Sequence, residues 1–289
     1  MWVNVGQTRN WGYETDLRVQ VIKKARFIWE LNARYSFNDN KVQKLYPGVT
    51  EFTYGGYSYA STNVIEGQSF PYLKALPYTR DSVTGRVIVD KATGYPIRNS
   101  VLKTFGRTIP KHILGWGTRF NYSNLTLTAN FEYRGGNTIF HQLGRDMTFT
   151  GSGAWTSNRT PHVFPNSSYD DGSGKYVQNT DVNVREAEYS LWVDQYRFIT
   201  ENFVTPGWFI KFRDVNLSYN IPINLLNRTK FISGASIALY GRNLFTIVDK
   251  SNFYTDPEFS YTTGNGVGIN NTSQTPPVRQ YGFNLNLSF

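Results

Sequence analysis

The sequence predicts an all-β protein: an antiparallel transmembrane β-barrel segment of about seven long strands, part of a larger barrel, with long extracellular loops. Three observations predict it. In the last stretch, Tyr281, Phe283, Leu285, Leu287 and Phe289 share one parity, and Gln280, Gly282, Asn284, Asn286 and Ser288 share the other. Strand side chains alternate faces, so one face is apolar and the other polar, as in a strand between lipid and a wet lumen. The periodic stretches are long, roughly 11 to 13 residues in the first two, enough to cross a bilayer at a tilt. Short turns also alternate strictly with long loops, the arrangement of outer-membrane barrels.

Each element follows from its own pattern. From Gly12 to Ile22, Tyr13, Thr15, Leu17, Val19 and Val21 alternate with Glu14, Asp16, Arg18 and Gln20. A polar turn at 23–25 leads into a second strand, where Phe27, Trp29, Leu31, Ala33, Tyr35 and Phe37 share a face up to Asn38. Residues 39–110 lose the alternation and carry Pro47-Gly48, Gly55-Gly56, Pro71, Pro77, Gly94 and Pro96, which makes them a loop. Residues 83–89 within it are expected to form a small hairpin. Lys111–Tyr122 and Leu125–Arg134, joined at Ser123-Asn124, form the next hairpin. Residues 135–207 form a second loop, with a short helix expected between Asn183 and Asn202. Trp208–Asn220 alternates only in its second half; Lys211 and Arg213 share the parity of Val215, so that end is expected either to lie above the lipid or to contain a bulge. A turn over 221–233, a strand over 234–248, a third loop over 249–278 and the closing strand complete the chain. Seven is odd, and an open sheet leaves edges that lipid cannot satisfy, so further strands are expected upstream.

Composition narrows the function classes. Aromatics make up 16% of 289 residues, yet mean hydropathy is −0.44 and no apolar run approaches a membrane helix. The absence of cysteine excludes a disulfide framework and thiolate metal sites. The net charge of +9 suits nucleic acid, anionic lipid or lipopolysaccharide phosphates as partners, but it is scattered rather than clustered, which argues against nucleic acid and for solvated rims and lumen. Met1 leads directly into Trp2-Val3-Asn4-Val5-Gly6, with neither the basic region nor the apolar core of a signal peptide.

No cofactor, metal or catalytic site is expected. His112, His141 and His162 lack metal-ligand spacing. Asp170-Asp171-Gly172-Ser173-Gly174 lacks the spaced acids of a calcium loop and reads as a turn. Glu14, Asp16, Glu30 and Glu132 read as polar lining of the lumen rather than as an acid–base pair. The candidate substrate contacts are loop aromatics: Tyr54, Tyr57 and Tyr59 in a glycine-rich setting, then Trp155, Tyr169, Tyr189 and Trp192. Such rings stack on sugars or pack on peptide side chains. The plainer reading of any one of them is an interface girdle or loop self-packing.

The ordered motifs resemble one family. Asn4-Val5-Gly6, Asn10-Trp11-Gly12-Tyr13-Glu14, Phe27-Ile28-Trp29 and Asn38-Asp39-Asn40-Lys41-Val42 come first; Glu66-Gly67, Gly94-Tyr95-Pro96 and Pro110 follow. Then come the run Phe209 to Tyr219, Asn243-Leu244-Phe245-Thr246, Asp256-Pro257-Glu258 and Gly282-Phe283-Asn284-Leu285. Together they resemble the C-terminal part of a SusC/RagA-family TonB-linked outer-membrane transporter. That resemblance implies a barrel of about 22 strands with a plug, of which residues 1–289 supply the final third, without plug or signal peptide. It implies uptake of oligosaccharides or peptides with a SusD-like surface lipoprotein, driven through the TonB system. It also implies a barrel-assembly role for the closing strand, with Tyr281, Gly282, Phe283, Leu285, Leu287 and Phe289. Two readings from other classes compete: a secreted soluble β-sandwich that binds polysaccharide, and a glycoside hydrolase.

Overall fold

A computed structural model describes residues 6–226, 231–260, 264–273, 275 and 277–289. Seven long strands form one antiparallel wall: β1 (Gly6–Lys24), β2 (Phe27–Leu45), β3 (His112–Tyr122), β4 (Leu125–Gly135), β5 (Phe209–Asn220), β6 (Gly234–Arg242) and β7 (Gln280–Ser288). They pair in sequence order, and β1 and β7 do not meet, so the wall is an open sheet among the described residues. Asn4, Val5 and Pro276 of the sequence motifs and turns lie outside the described residues.

The pairing register aligns the apolar positions into continuous rows. One row runs Ile22, Trp29, Phe120, Leu127, Leu217, Leu239 and Phe283 across all seven strands. The next, from Phe27, runs Tyr122, Leu125, Tyr219, Ile237 and Leu285. Opposed residues share a face, so these rows form one apolar surface. The alternate rows are polar: Gln20, Glu30, Arg119, Thr128, Asn216 and Tyr240 occupy one of them. Among the described residues no second layer covers the apolar face at the closing strand: Tyr281, Phe283 and Leu285 are 72%, 69% and 56% exposed.

Bulges keep the alternation in phase. A register shift between Phe212 and Asp214 turns Phe212 onto the apolar face, stacked 4.5 Å from Phe131, and sends Lys211 to the polar face opposite Glu132. Of the two readings of the Lys211 and Arg213 parity, a bulge is present. Across from it, Asn243 adopts φ 52°, a left-handed conformation that Asn tolerates. The expected strand over 234–248 is therefore interrupted: β6 ends at Arg242, and Thr246–Val248 resumes pairing with β5. In β7, Gly282 lets the Tyr240 ring cross the strand, because a Cβ there would lie 2.4 Å from the Tyr240 hydroxyl oxygen.

Two boundaries differ from expectation. The first turn is Ala25-Arg26, so β1 includes Lys23 and Lys24. β1 and β2 also run to 19 residues each, because β2 continues through Asp39 to Leu45. That extension hides in the sequence because Val42 and Leu45 pack against Val64 of the first loop, so period two no longer applies. The Ser123-Asn124 turn is as expected, and the 221–233 turn carries a short helix, Ile223–Leu226. No helix among the described residues is long and apolar enough to cross a membrane, which says nothing of strands.

Candidate functional site

The three long loops leave the same end of the wall and fold into one cap. The first loop forms a four-stranded sheet from Glu51–Tyr57, Ala60–Ile65, Tyr72–Ala75 and Lys103–Arg107. Its Val87-Ile88 pairs with Ser167-Ser168 of the second loop, and Phe140-His141 of the second pairs with Ile269-Asn270 of the third. The hairpin expected at 83–89 forms with its other arm earlier, Arg80 bridging Val87 around a turn. The helix expected between Asn183 and Asn202 is a broken series of single turns, Leu191–Gln195, Tyr196–Phe198 and Thr200–Phe203. One full helix, α1 (Gln142–Thr150), ends at Gly151 in a left-handed cap.

Two apolar clusters hold the cap together. One gathers Tyr78, Val89, Phe164, Val184, Leu191 and Trp192; the other gathers Leu73, Phe140, Phe203, Tyr254 and Ile269. His141 sits in the second, fully buried, with Nε2 2.8 Å from Thr205 Oγ1 and Nδ1 2.8 Å from the Asn270 amide nitrogen. The amide nitrogen can only donate, so Nδ1 accepts and Nε2 carries the proton. Burial pushes this imidazole down to about 3, so it is neutral at physiological pH.

An ionic knot joins the cap to the wall. Lys211, 2% exposed, reaches Asp256 at 2.7 Å and Glu258 at 2.5 Å on the third loop. Arg213 grips Glu258 with both terminal nitrogens, at 2.7 and 2.8 Å, and Glu132 through Nε at 2.7 Å. Arg134 also pairs with Glu132. Three cations thus meet three carboxylates. Burial by itself raises the Glu258 carboxyl, but the hydrogen bonds from Arg213 and Lys211 outweigh it and hold the group at about 2. Glu132 is committed to this knot, and Asp16 pairs with Arg34 at 2.7 Å.

The candidate aromatics separate by burial. Tyr54 and Tyr189 are exposed, and Trp192 is buried in the first cluster. Trp155 is half-buried between both clusters, its Nε1 donating to Thr148 Oγ1 at 2.9 Å. Tyr169 lies under Lys91, whose Nζ is 5.5 Å from the ring centre. Tyr57 and Tyr59 stack in parallel at 5.2 Å, and the Arg145 guanidinium lies 4.2 Å from the Tyr59 ring centre. The other two histidines are spread apart: His112 bonds Tyr35 at 2.7 Å, and His162 takes the Thr160 carbonyl. Asp170 closes an ordinary turn, accepting from the Gly172 and Gly174 backbone N–H groups.

No protein-family model matches the sequence. Among curated proteins, TonB-dependent receptor P3 of Formosa agariphila is 24% identical over 99% of the chain. TonB-dependent receptor P26 of the same organism is 23% identical over 99%. The chain is similar in sequence to these TonB-dependent receptors. It spans 29% of the length of P3 and 30% of that of P26. Among solved structures, the RagAB peptide transporter superposes with a TM-score of 0.68 at 19% identity, over 99% of this chain and 29% of that one. The same importer in a closed-closed state gives 0.69 at 19% identity, over 99% of this chain and 30% of the other. The fold is therefore that of a TonB-dependent transporter wall, in agreement with the SusC/RagA motifs, and the relatives are receptors and transporters rather than enzymes.

Gly115 of β3 lies between Arg34 and Glu132 on the polar face. A cleft of about 700 Å³ lies over it, edged by Glu14, Asp16, Asp214 and Arg213. Residue types alone did not single out Arg98, Arg145, Arg197 and Phe198, which come together from two loops. Arginines far apart in sequence carry no pattern until the cap folds.

Proposed function

We propose that this chain is the C-terminal barrel wall and loop cap of a TonB-dependent importer in the outer membrane of a Gram-negative bacterium. The observation that carries the proposal is the wall itself. One apolar row runs across all seven strands and a second across six, polar rows fill the opposite face, and the long loops gather at one end. A sandwich in water buries its apolar rows under a second sheet, and the exposure of Tyr281, Phe283 and Leu285 is unfavourable to that alternative. The long-loop end is the extracellular one. The work is binding and gated passage of oligosaccharides or peptides, with a SusD-like lipoprotein over the cap. Energy arrives through TonB by way of parts of the protein outside this chain. Tyr54, Tyr57, Tyr59, Trp155, Tyr169 and Tyr189 are the aromatic residues proposed to meet cargo; Trp192 supports them from below. The closing strand, with Tyr281, Gly282, Phe283, Leu285, Leu287 and Phe289, is proposed to direct barrel assembly.

Fractionation tests the placement. The protein should pellet with outer membranes, resist alkaline extraction and require detergent; a stable monomer in plain buffer overturns the proposal. Purification from mild detergent should bring a surface lipoprotein with it, and deletion should abolish uptake of a labelled oligosaccharide or peptide.

A further inference from the structure

Two phenylalanines in this chain are each surrounded by three cations, and only one set is neutralised. Around Phe209 stand Lys211, Arg213 and Arg134, at 5.1, 5.7 and 5.8 Å from the ring centre. Glu132, Asp256 and Glu258 satisfy all three. Around Phe198 stand Arg197, Arg145 and Arg98, at 4.5, 5.6 and 5.8 Å. Here the only ion pair among the described residues is a long one, Arg145 to Asp146 at 3.7 Å.

The hydrogen-bond inventory is equally unbalanced. Arg197 donates from Nε to the Val193 carbonyl at 2.6 Å, and its four terminal N–H groups have no acceptor among the described residues. Arg98 is exposed and makes no side-chain hydrogen bond there. Arg145 Nε is buried without a partner. Burial first, then the neighbouring Arg145, push the Arg197 guanidinium below its ordinary range; Asp194 and Asp146 offset this only in part, and neither forms an ion pair with Arg197. Like charges packed together with free, planar donors are complementary to an anion, because a guanidinium fork matches a carboxylate or sulfate with two parallel bonds. Two ring faces flank the cluster: Phe149, 50% exposed and 4.5 Å from the Arg197 guanidinium, and Tyr189, 60% exposed and close enough to act on its charge. Open aromatic faces beside anion-binding forks suit a sugar ring carrying a pendant charge.

Building on the importer reading, we propose that Arg98, Arg145 and Arg197 around Phe198 form a cap subsite for anionic oligosaccharides, gripping the carboxylate or sulfate of a sugar stacked on Phe149 or Tyr189. The cluster joins the first loop to the second, so a charged sugar also ties the two loops together.

The test is calorimetric titration of the whole detergent-solubilised protein. The probes are a short oligogalacturonate, a sulfated galacto-oligosaccharide, a neutral malto-oligosaccharide of the same length and an oligoglutamate peptide. At least one anionic sugar should bind, more weakly as salt rises, and the better of the two identifies the carboxylate or the sulfate as the recognised group. Arg98→Gln and Arg197→Gln should each weaken it by about tenfold or more. Lys103→Gln, an exposed cation outside the cluster, should change nothing. Arg98 lies at the surface, so its variant keeps the test valid should the Arg197 variant misfold. The subsite is overturned if neither anionic sugar binds, if the neutral sugar binds equally, if oligoglutamate binds tighter than both sugars, or if the arginine variants match the parent. Membrane fractionation of the same preparations separates the outcomes: a correctly placed protein with no anion binding refutes the subsite and leaves the importer reading standing.

Discussion

The wall and the cap use the same kinds of residue in opposite ways. In the wall, Leu217, Leu239 and Phe283 lie exposed in continuous rows. In the cap, Phe140, Phe203 and Leu191 are fully buried beneath other loops. The wall is ordered by its ladders and by the solvent each face meets, so neighbouring strands suffice to define it. The cap has no such ladder over most of its length. It is held by two apolar clusters and by short pairings between distant segments. Lys211, Asp256 and Glu258 mark the seam, where a residue on the polar face of the wall is buried by a loop.

The contrast yields graded expectations. Phe203→Ala should cost the cap about 3–5 kcal/mol, since it empties the centre of a packed cluster. Hydrogen exchange should show that loss in cap amides and leave the ladders of β3 and β4 protected. Equal loss in both would show that cap and wall are one cooperative unit. In the wall, Val215→Arg should cost about 2–4 kcal/mol, and the neighbouring Asn216→Arg on the lumen face less than about 1 kcal/mol. Unfolding titrations in lipid vesicles measure the difference; equal costs would mean that the two faces meet the same solvent.

The pH response should separate the cap from its seam. The folded pKa of His141 lies near 3, below its ordinary 6.5. The unfolded cap then binds the extra proton first, so stability is full above pH 6.5 and falls as pH drops toward 3. Glu258 lies near 2, below its ordinary 4.5, so its contribution holds above pH 4.5 and is lost as pH falls toward 2. Proteolysis of the cap should rise through the first window, and cleavage near Asp256 should rise further through the second. His141→Gln should erase the first window only. The smallest effect is expected from Tyr189→Ala, within about 0.5 kcal/mol in stability because the ring is exposed. Its loss should show in cargo affinity instead.

The wall was legible because each of its constraints is local. Alternation at Leu125–Arg134, the Ser123-Asn124 turn and the break in parity at Lys211 and Arg213 can be read from a dozen consecutive residues, since period two leaves one way to face each side chain. Legibility failed where a partner came from elsewhere. Val42 and Leu45 break parity to meet Val64, and Asn243 interrupts β6 beside the β5 bulge. Among the aromatics, composition marked Tyr189 and Trp192 alike, and only packing placed one at the surface and the other in the core.

The sequence by itself thus determined the strands, their faces and the alternation of turns with loops, because a repeating pattern against two solvents is written in every strand separately. Tertiary structure alone decided how three loops became one cap, which rings and cations it buried, and where three arginines met around Phe198. Those outcomes depend on contacts between residues a hundred positions apart, and no stretch of chain carries them alone.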